Sequence, residues 1–296
     1  MRVVAIAAPD FAPLPVLRAA VPEVFVSADL AELRDAARDA EVIVVAPREG
    51  ALLREVWPHA ERVKWVHTLA AGVESLLFPE LNVTLTNSRG IFADALAEFA
   101  IAAMLFFAKD LRRVVRNQDA RQWAPFTVSR LEETTVGIIG FGSIGRAVAR
   151  QAEAFGMDVC ATRTTPIDEL LSVSDYVVIS APLTRETRGM IGARELALMQ
   201  PHAYLINIAR GELVDEAALY DALANGRIAG AALDVFEHEP LYDSPLFGLE
   251  NVLISPHSAD HTSDSHDRTM QFFLENLARF DAGKQLRNVV GKIRGY

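Results

Sequence analysis

The chain has 296 residues, enough for two ordinary domains, and 51% of them are hydrophobic. Its formal charge of −10 at pH 7 argues against nucleic acid and anionic membranes, both of which need a basic surface. With one cysteine, Cys160, it can form no intrachain disulfide, which suits a reducing cytoplasm.

The first run, RVVAIAA (2–8), meets Pro9 and Asp10 at once, which marks a strand rather than a signal peptide. EVIVVA (41–46), KWVHTL (64–69) and NVTLT (82–86) are further short β-branched runs. Trp65 and His67 on the third of these read as packing residues. Between the runs lie helical segments such as DLAELRDAARDA (29–40), with Asp29 placed to cap it. Alternating strand and helix imply a parallel sheet with helices on its faces.

A long helical stretch is expected from about 94 to about 122. Its apolar part, FAIAAMLFFA (99–108), is too short to cross a bilayer and reads as a buried helix. Its basic part, KDLRRVVR (109–116), reads as a solvated face or part of a dimer contact. The alternation then restarts with TTVGIIG (134–140), MDVCAT (157–162), DYVVIS (175–180), AYLINI (203–208), IAGAALDV (228–235) and NVLIS (251–255). From about Thr262 the chain reads as helix through FFLENLARFDAG. Cys160 sits mid-strand, as a small core residue would.

The second half opens on a strand that runs into Gly140-Phe-Gly142-Ser-Ile-Gly145, followed by an amphipathic helix and another strand. In that context the pattern is a dinucleotide fingerprint. Gly140 permits the tight turn, Gly142 lets backbone approach a pyrophosphate, and Gly145 lets helix and strand pack closely. The amides of Ser143 and Ile144 then sit at a helix N-terminus, which favours an anion. At the end of the next strand, where a carboxylate would accept from an NAD ribose, stand Arg163 and Thr164. An arginine would pair with a 2′-phosphate, so NADP(H) is expected in preference to NAD(H).

Three strand ends remain. NIARGELVDE (207–216) carries Arg210, ALDVFEHEPL (232–241) carries Glu239, and SPHSADHTSDSH (255–266) carries His257, His261 and His266. Ligands bind at the carboxyl ends of such strands, and these side chains together can clamp a carboxylate and move a proton. The histidine cluster alone leaves two readings open: a metal site, or one working histidine with bystanders.

Together with the glycine loop, these motifs resemble the D-isomer-specific 2-hydroxyacid dehydrogenase family, and the resemblance runs nearly the whole chain. WVHTLAAGVESL (65–76) resembles its substrate loop, and NSRG (87–90) with ALAEFAIAAML (95–105) the start of its interdomain helix. APLTRETRGMIG (181–192) resembles the loop beneath its cofactor, and NVVGKI (288–293) its C-terminal segment. The resemblance implies two α/β domains, Rossmann-like and flavodoxin-like, with parallel sheets and an active-site cleft. Residues 1–93 with 281–296 would bind substrate, the C-terminal helix and tail returning to this domain, and about 94–280 would bind the dinucleotide.

It also implies roles. Arg210 would clamp the substrate's carboxylate and carbonyl. His257 would be the acid that protonates the C2 oxygen as hydride arrives, and Glu239 would fix its tautomer. Backbone amides around Ala71, Gly72 and Val73 would hold the carboxylate. Asp234 would orient the nicotinamide, and Pro182, Thr187 and Ile208 would line the cofactor. Only His257 of the three clustered histidines receives a role, and no metal is called for. Arg48 and Glu49 follow the run EVIVVA (41–46), as a pocket wall or plain surface. The implied activity is reduction of a small 2-oxo acid, such as glyoxylate or hydroxypyruvate, to a (2R)-hydroxy acid by a cytoplasmic homodimer. The alternative is a non-catalytic NAD(P)(H) sensor on the same fold, which could dispense with Arg210, Glu239 or His257.

Overall fold

A computed structural model describes residues 1–292, so Ile293 of the expected C-terminal segment lies outside the described residues. The chain divides into two compact units, Met1–Phe92 with the chain from Thr262 onward, and Ala93–His261.

The first unit is built on strands β1 (Val3–Ile6), β2 (Phe25–Ser27), β3 (Val42–Val45), β4 (Trp65–Thr68) and β5 (Thr84–Asn87). Helices α1 (Leu14–Ala20), α2 (Leu30–Ala37) and α3 (Gly50–Val56) connect the earlier strands. All pairings are parallel, in the order β2-β1-β3-β4-β5, the flavodoxin-like pattern. Side chains alternate between faces along each strand. Val4, Ile6, Ile43 and Val45 pack with Leu33 and Leu53 on one face. Val3, Ala5, Val42 and Val44 pack with Leu14 and Leu17 on the other. Burial on both faces is why these strands read as continuous apolar runs. Asp29 caps α2 as expected, its carboxylate accepting from the Glu32 amide at 2.9 Å.

The second unit begins with α4 (Ala93–Ala108) and α5 (Leu111–Asp119). The single helix expected over 94–122 is therefore two. Asp110 adopts a left-handed conformation at φ 45°, which ends α4, and its carboxylate accepts from the Arg113 amide to start α5. Aspartate tolerates that conformation better than most residues. The sheet follows as β6 (Thr135–Ile139), β7 (Asp158–Ala161), β8 (Tyr176–Ile179), β9 (Tyr204–Asn207), β10 (Gly230–Leu233) and β11 (Val252–Ile254). Between these strands run α6 (Ser143–Ala154), α7 (Ile167–Val173), α8 (Ala193–Leu198) and α9 (Glu216–Ala224). The order is β11-β10-β9-β8-β6-β7, again all parallel.

The last helix, α10 (Ser265–Asp281), belongs to the first unit rather than to the second, where the 94–280 boundary would put it. The reason is its apolar stripe. Met270, Phe273 and Leu277 fill the core over Val3, Ala5 and Trp65, and Phe273 stacks on the Trp65 indole at 5.4 Å. The chain then returns to β5: Val289 bridges Thr86 in antiparallel sense, and the Val290 amide donates to Leu85. Among the described residues, no helix is long and apolar enough to cross a membrane.

Candidate active site

The strand order of the second unit reverses between β6 and β8, and the glycine loop leaves β6 there, where doubly wound sheets place their ligands. Gly140 has φ 93°, and a Cβ on it would lie 2.5 Å from the Ala181 amide nitrogen. A Cβ on Gly145 would lie 2.2 Å from the Gly140 carbonyl oxygen. Gly142 differs: nothing lies within 4 Å of the place a Cβ would take, so the space beside it is open to an approaching group. The Gly140 amide donates to Thr162 Oγ1 at 3.1 Å, and Ser180 Oγ donates to the Gly140 carbonyl at 2.6 Å. Ser143 and Ile144 open α6, a twelve-residue helix whose N-terminus carries no side-chain cap. Its first amides are left for an anion. The glycine positions thus fit a pyrophosphate.

Arg163 follows β7, exposed, and makes no ion pair among the described residues. Thr164 is tied back by its hydroxyl to the Ala161 carbonyl at 3.4 Å. In the loop after β8, Thr187 Oγ1 donates to the Pro182 carbonyl at 2.7 Å and accepts from the Thr184 amide at 2.8 Å. Ile208 is buried directly after β9.

Arg210, Glu239 and His257 follow β9, β10 and β11, three neighbouring strands, so they share one edge of the sheet. Glu239 Oε1 accepts from the Phe236 amide at 3.1 Å, and Oε2 lies 2.7 Å from His257 Nδ1. A carboxylate can only accept, so Nδ1 carries the hydrogen and Nε2 is the ring's outward end. The two side chains are 28% and 34% exposed, open enough for a small molecule to reach the ring. His257 itself has φ 53°, a left-handed backbone uncommon outside glycine, though histidine adopts it more readily than most. Asp234 holds it there. The Asp234 carbonyl accepts from the His257 amide at 2.8 Å. Asp234 Oδ1 accepts from the amides of Ser258 and Ala259 at 3.0 and 3.1 Å.

Asn207, which sequence reasoning did not single out, and Gly211, which it noted only as a glycine beside the arginine, shape this edge. Asn207 donates from Nδ2 to the Arg210 carbonyl at 2.9 Å and accepts from the Ala209 amide at 3.1 Å, pinning the arginine's turn. Gly211 lets that turn touch the next one: a Cβ on it would lie 1.8 Å from the Phe236 carbonyl carbon, three residues before Glu239. A glycine straight after the arginine was the one available signal.

The loop after β4 lies in the first unit. The amides of Ala71, Gly72 and Val73 donate to no acceptor among the described residues, whereas the neighbouring carbonyls are taken. Ser88 occupies those of Thr68 and Ala70, and Asn87 Nδ2 occupies that of Ala71 at 2.6 Å.

The remaining sequence candidates fall elsewhere. His261 is exposed beside Asp260, and His266 is on the first turn of α10, edge-on to Phe11. Among the described residues, no group of three or more His, Cys, Asp and Glu side chains is arranged to hold a metal ion. Cys160 is half-buried, its Sγ 3.7 Å from Ser174 Oγ, and burial raises its pKa. Arg48 takes a left-handed φ of 73° in the exposed turn after β3.

An open glycine loop at the switch point of a parallel sheet, with arginine, glutamate and histidine along its far edge, defines a dinucleotide-binding α/β protein. Known proteins narrow the class. Residues 101–259 match the model of the D-isomer specific 2-hydroxyacid dehydrogenase NAD binding domain. A glyoxylate reductase of Thermococcus gammatolerans is 37% identical over 286 residues, 88% of this chain and 85% of that protein. A D-isomer specific 2-hydroxyacid dehydrogenase family protein from Aeromonas salmonicida superposes with a TM-score of 0.85 at 28% identity, covering 98% of this chain and 99% of that one. Another, from Xanthobacter autotrophicus Py2 in complex with NADPH and MES, gives 0.84 at 32% identity, covering 99% and 100%. The chain belongs to the D-isomer specific 2-hydroxyacid dehydrogenase family.

Proposed function

We propose that this protein reduces a small 2-oxo acid, of the size of glyoxylate or hydroxypyruvate, to the (2R)-hydroxy acid, using NADPH in preference to NADH. The observation that carries the reading is the 2.7 Å contact between His257 Nδ1 and Glu239, on the sheet edge that also presents Arg210. Glutamate holds the imidazole in one tautomer, so Nε2 is the nitrogen left to give a proton. When bound, the reduced dinucleotide supplies the hydride, and the carbonyl oxygen of the substrate then needs one proton. His257 delivers it. Arg210 pairs with the substrate's carboxylate and polarises the carbonyl through its planar fork of donors. The unclaimed amides of Ala71, Gly72 and Val73 are further donors for the carboxylate. The loop's small side chains at Ala70, Ala71 and Gly72 suit a small acid.

The glycine loop and the first amides of α6 hold the pyrophosphate, with Pro182, Thr187 and Ile208 along the cofactor. Asp234 spends Oδ1 on the His257 turn and offers Oδ2 to the nicotinamide's carboxamide. The unpaired Arg163, with Thr164 beside it, takes the 2′-phosphate. The family relative solved with NADPH supports the cofactor, and the glyoxylate reductase relatives support the substrate class. Residues 1–93 and the chain's end would serve the acid and the rest the dinucleotide. The exposed apolar side chains Val114, Val115 and Trp123, the last 97% exposed, suit a homodimer contact of a cytoplasmic enzyme.

The test is consumption of NADPH and NADH, side by side, by the purified protein with glyoxylate, hydroxypyruvate, pyruvate and phenylpyruvate. Turnover with the small acids, faster with NADPH, is expected. Good cofactor binding without turnover of any 2-oxo acid would overturn the enzyme reading in favour of a sensor.

A further inference from the structure

Behind the loop after β4 lies a buried polar chain that the reaction does not use. Trp65 Nε1 donates to Thr86 Oγ1 at 2.8 Å, and Thr86 Oγ1 lies 2.7 Å from His67 Nδ1. An indole N–H only donates, so the Thr86 hydroxyl accepts it and has its own hydrogen left for His67 Nδ1. His67 Nε2 faces Ser88 Oγ at 3.5 Å, and Ser88 Oγ donates to the Thr68 carbonyl at 3.3 Å. Because Ser88 Oγ donates there, it is left to accept from His67 Nε2, which assigns the Nε2–H tautomer. One run of donors thus passes from Trp65 through Thr86, His67 and Ser88 to the carbonyl at the mouth of the loop. Thr86, His67 and Ser88 are fully buried. The His67 ring is boxed by Trp65, Phe272 and Phe273, with centroids at 6.0, 6.0 and 5.3 Å. No charged group is among its partners, and burial alone lowers its pKa to about 3.

Ser88 closes two carbonyls, that of Thr68 by its hydroxyl and that of Ala70 by its amide at 2.9 Å. Thr68 Oγ1 takes the Ala70 amide at 3.2 Å. The next three amides, of Ala71, Gly72 and Val73, are unclaimed. With the carbonyls of Thr68, Ala70 and Ala71 occupied, the groups this stretch leaves unclaimed are chiefly donors.

We propose that Ser88 and His67 are positioning residues for the substrate: they hold the backbone of the loop from Thr68 to Ala70 from behind, so that the amides of Ala71, Gly72 and Val73 stay aimed at a carboxylate. This deepens the proposed reduction of a 2-oxo acid and rests on it. Neither side chain touches the substrate, the nicotinamide or the reacting atoms. The chain sets affinity for the acid, and leaves the dinucleotide, held by the other unit, unaffected.

The test uses the full-length protein and Ser88→Ala, which removes only the hydroxyl and keeps the Ala70 contact. His67→Leu, which breaks the relay at its centre, and His67→Gln, which keeps an acceptor and a donor, complete the set. The expected result is a rise in KM for glyoxylate of roughly tenfold in Ser88→Ala and His67→Leu, the loss that follows from one hydrogen bond of about 1–1.5 kcal/mol. kcat is expected within about twofold of wild type, NADPH affinity unchanged, and partial recovery in His67→Gln. Amide hydrogen exchange over 69–73 should quicken in the same variants. Unchanged KM and unchanged exchange in Ser88→Ala would overturn the inference even if His67→Leu fails to fold. A wild-type protein that turns over no 2-oxo acid would overturn the proposed function instead, and the exchange of the loop would still decide whether the brace exists.

Discussion

The loops after β6 and after β4 both leave a parallel strand with unclaimed backbone amides, yet they reach that state by different routes. After β6 the glycines do the work. Gly140 turns the chain at φ 93°, Gly145 admits the helix, and Gly142 leaves open space. After β4 only Gly72 is present, and the loop is shaped by side chains of the neighbouring strand's end, Asn87 and Ser88, with His67 behind them. The first route removes atoms and so leaves a mark in the sequence. The second adds hydrogen bonds between residues about twenty positions apart, and leaves none.

That contrast yields ordered expectations. Among substitutions outside the reacting groups, Gly211→Ala should have the largest effect, because its Cβ would collide with backbone 1.8 Å away and something must shift. A displacement near 1 Å at the Arg210 and Glu239 turns should lower kcat/KM on the order of 10²-fold. Steady-state kinetics beside a melting curve would separate this from simple unfolding. A Gly211→Ala enzyme with ordinary kinetics would mean that the two turns are not coupled.

Next comes the pH dependence of stability that His67 imposes. Its pKa is about 3 in the folded chain and 6.5 when exposed, so between those values the unfolded chain binds one more proton than the folded one. Stability is therefore complete above pH 6.5 and falls as pH drops toward 3, by up to about 1.4 kcal/mol per pH unit from this group. Denaturant titrations of wild type and His67→Gln at pH 7.5, 5.5 and 4.5 should converge as the pH falls. Parallel curves would show that the ring titrates freely.

The smallest expected effect is that of Arg163→Ala. Losing a charge-assisted contact of about 1.5–3 kcal/mol should raise the KM for NADPH by a factor of ten or more. The KM for NADH should stay put, because NADH has no 2′-phosphate to lose. Equal changes for both cofactors would point to a structural defect in the loop after β7.

Much of the fold could be read from the chain. Most strands announce themselves as β-branched runs because helices or chain cover both faces of each sheet. β2 does not, since it is a three-residue edge strand that is only partly buried. The break at Asp110 was hidden as well, because one residue in a left-handed conformation leaves the surrounding helical pattern intact. That the boundary falls near 262 rather than at 280 follows from where Met270, Phe273 and Leu277 pack. At the site, Arg210, Glu239 and His257 could be found as unusual side chains at strand ends. Their supports could not: Asn207 and the part Asp234 plays in the His257 turn act through backbone, and the path from Trp65 to Thr68 exists only once β4 and β5 lie side by side.

The central claim is that His257, held by Glu239, delivers the proton. The most direct measurement is kcat with glyoxylate for wild type and His257→Gln, beside NADPH titrations of both. In His257→Gln kcat should fall about 10²–10⁴-fold, the usual contribution of a general acid, with NADPH affinity unchanged. A His257→Gln enzyme that reduces glyoxylate as fast as wild type would contradict it.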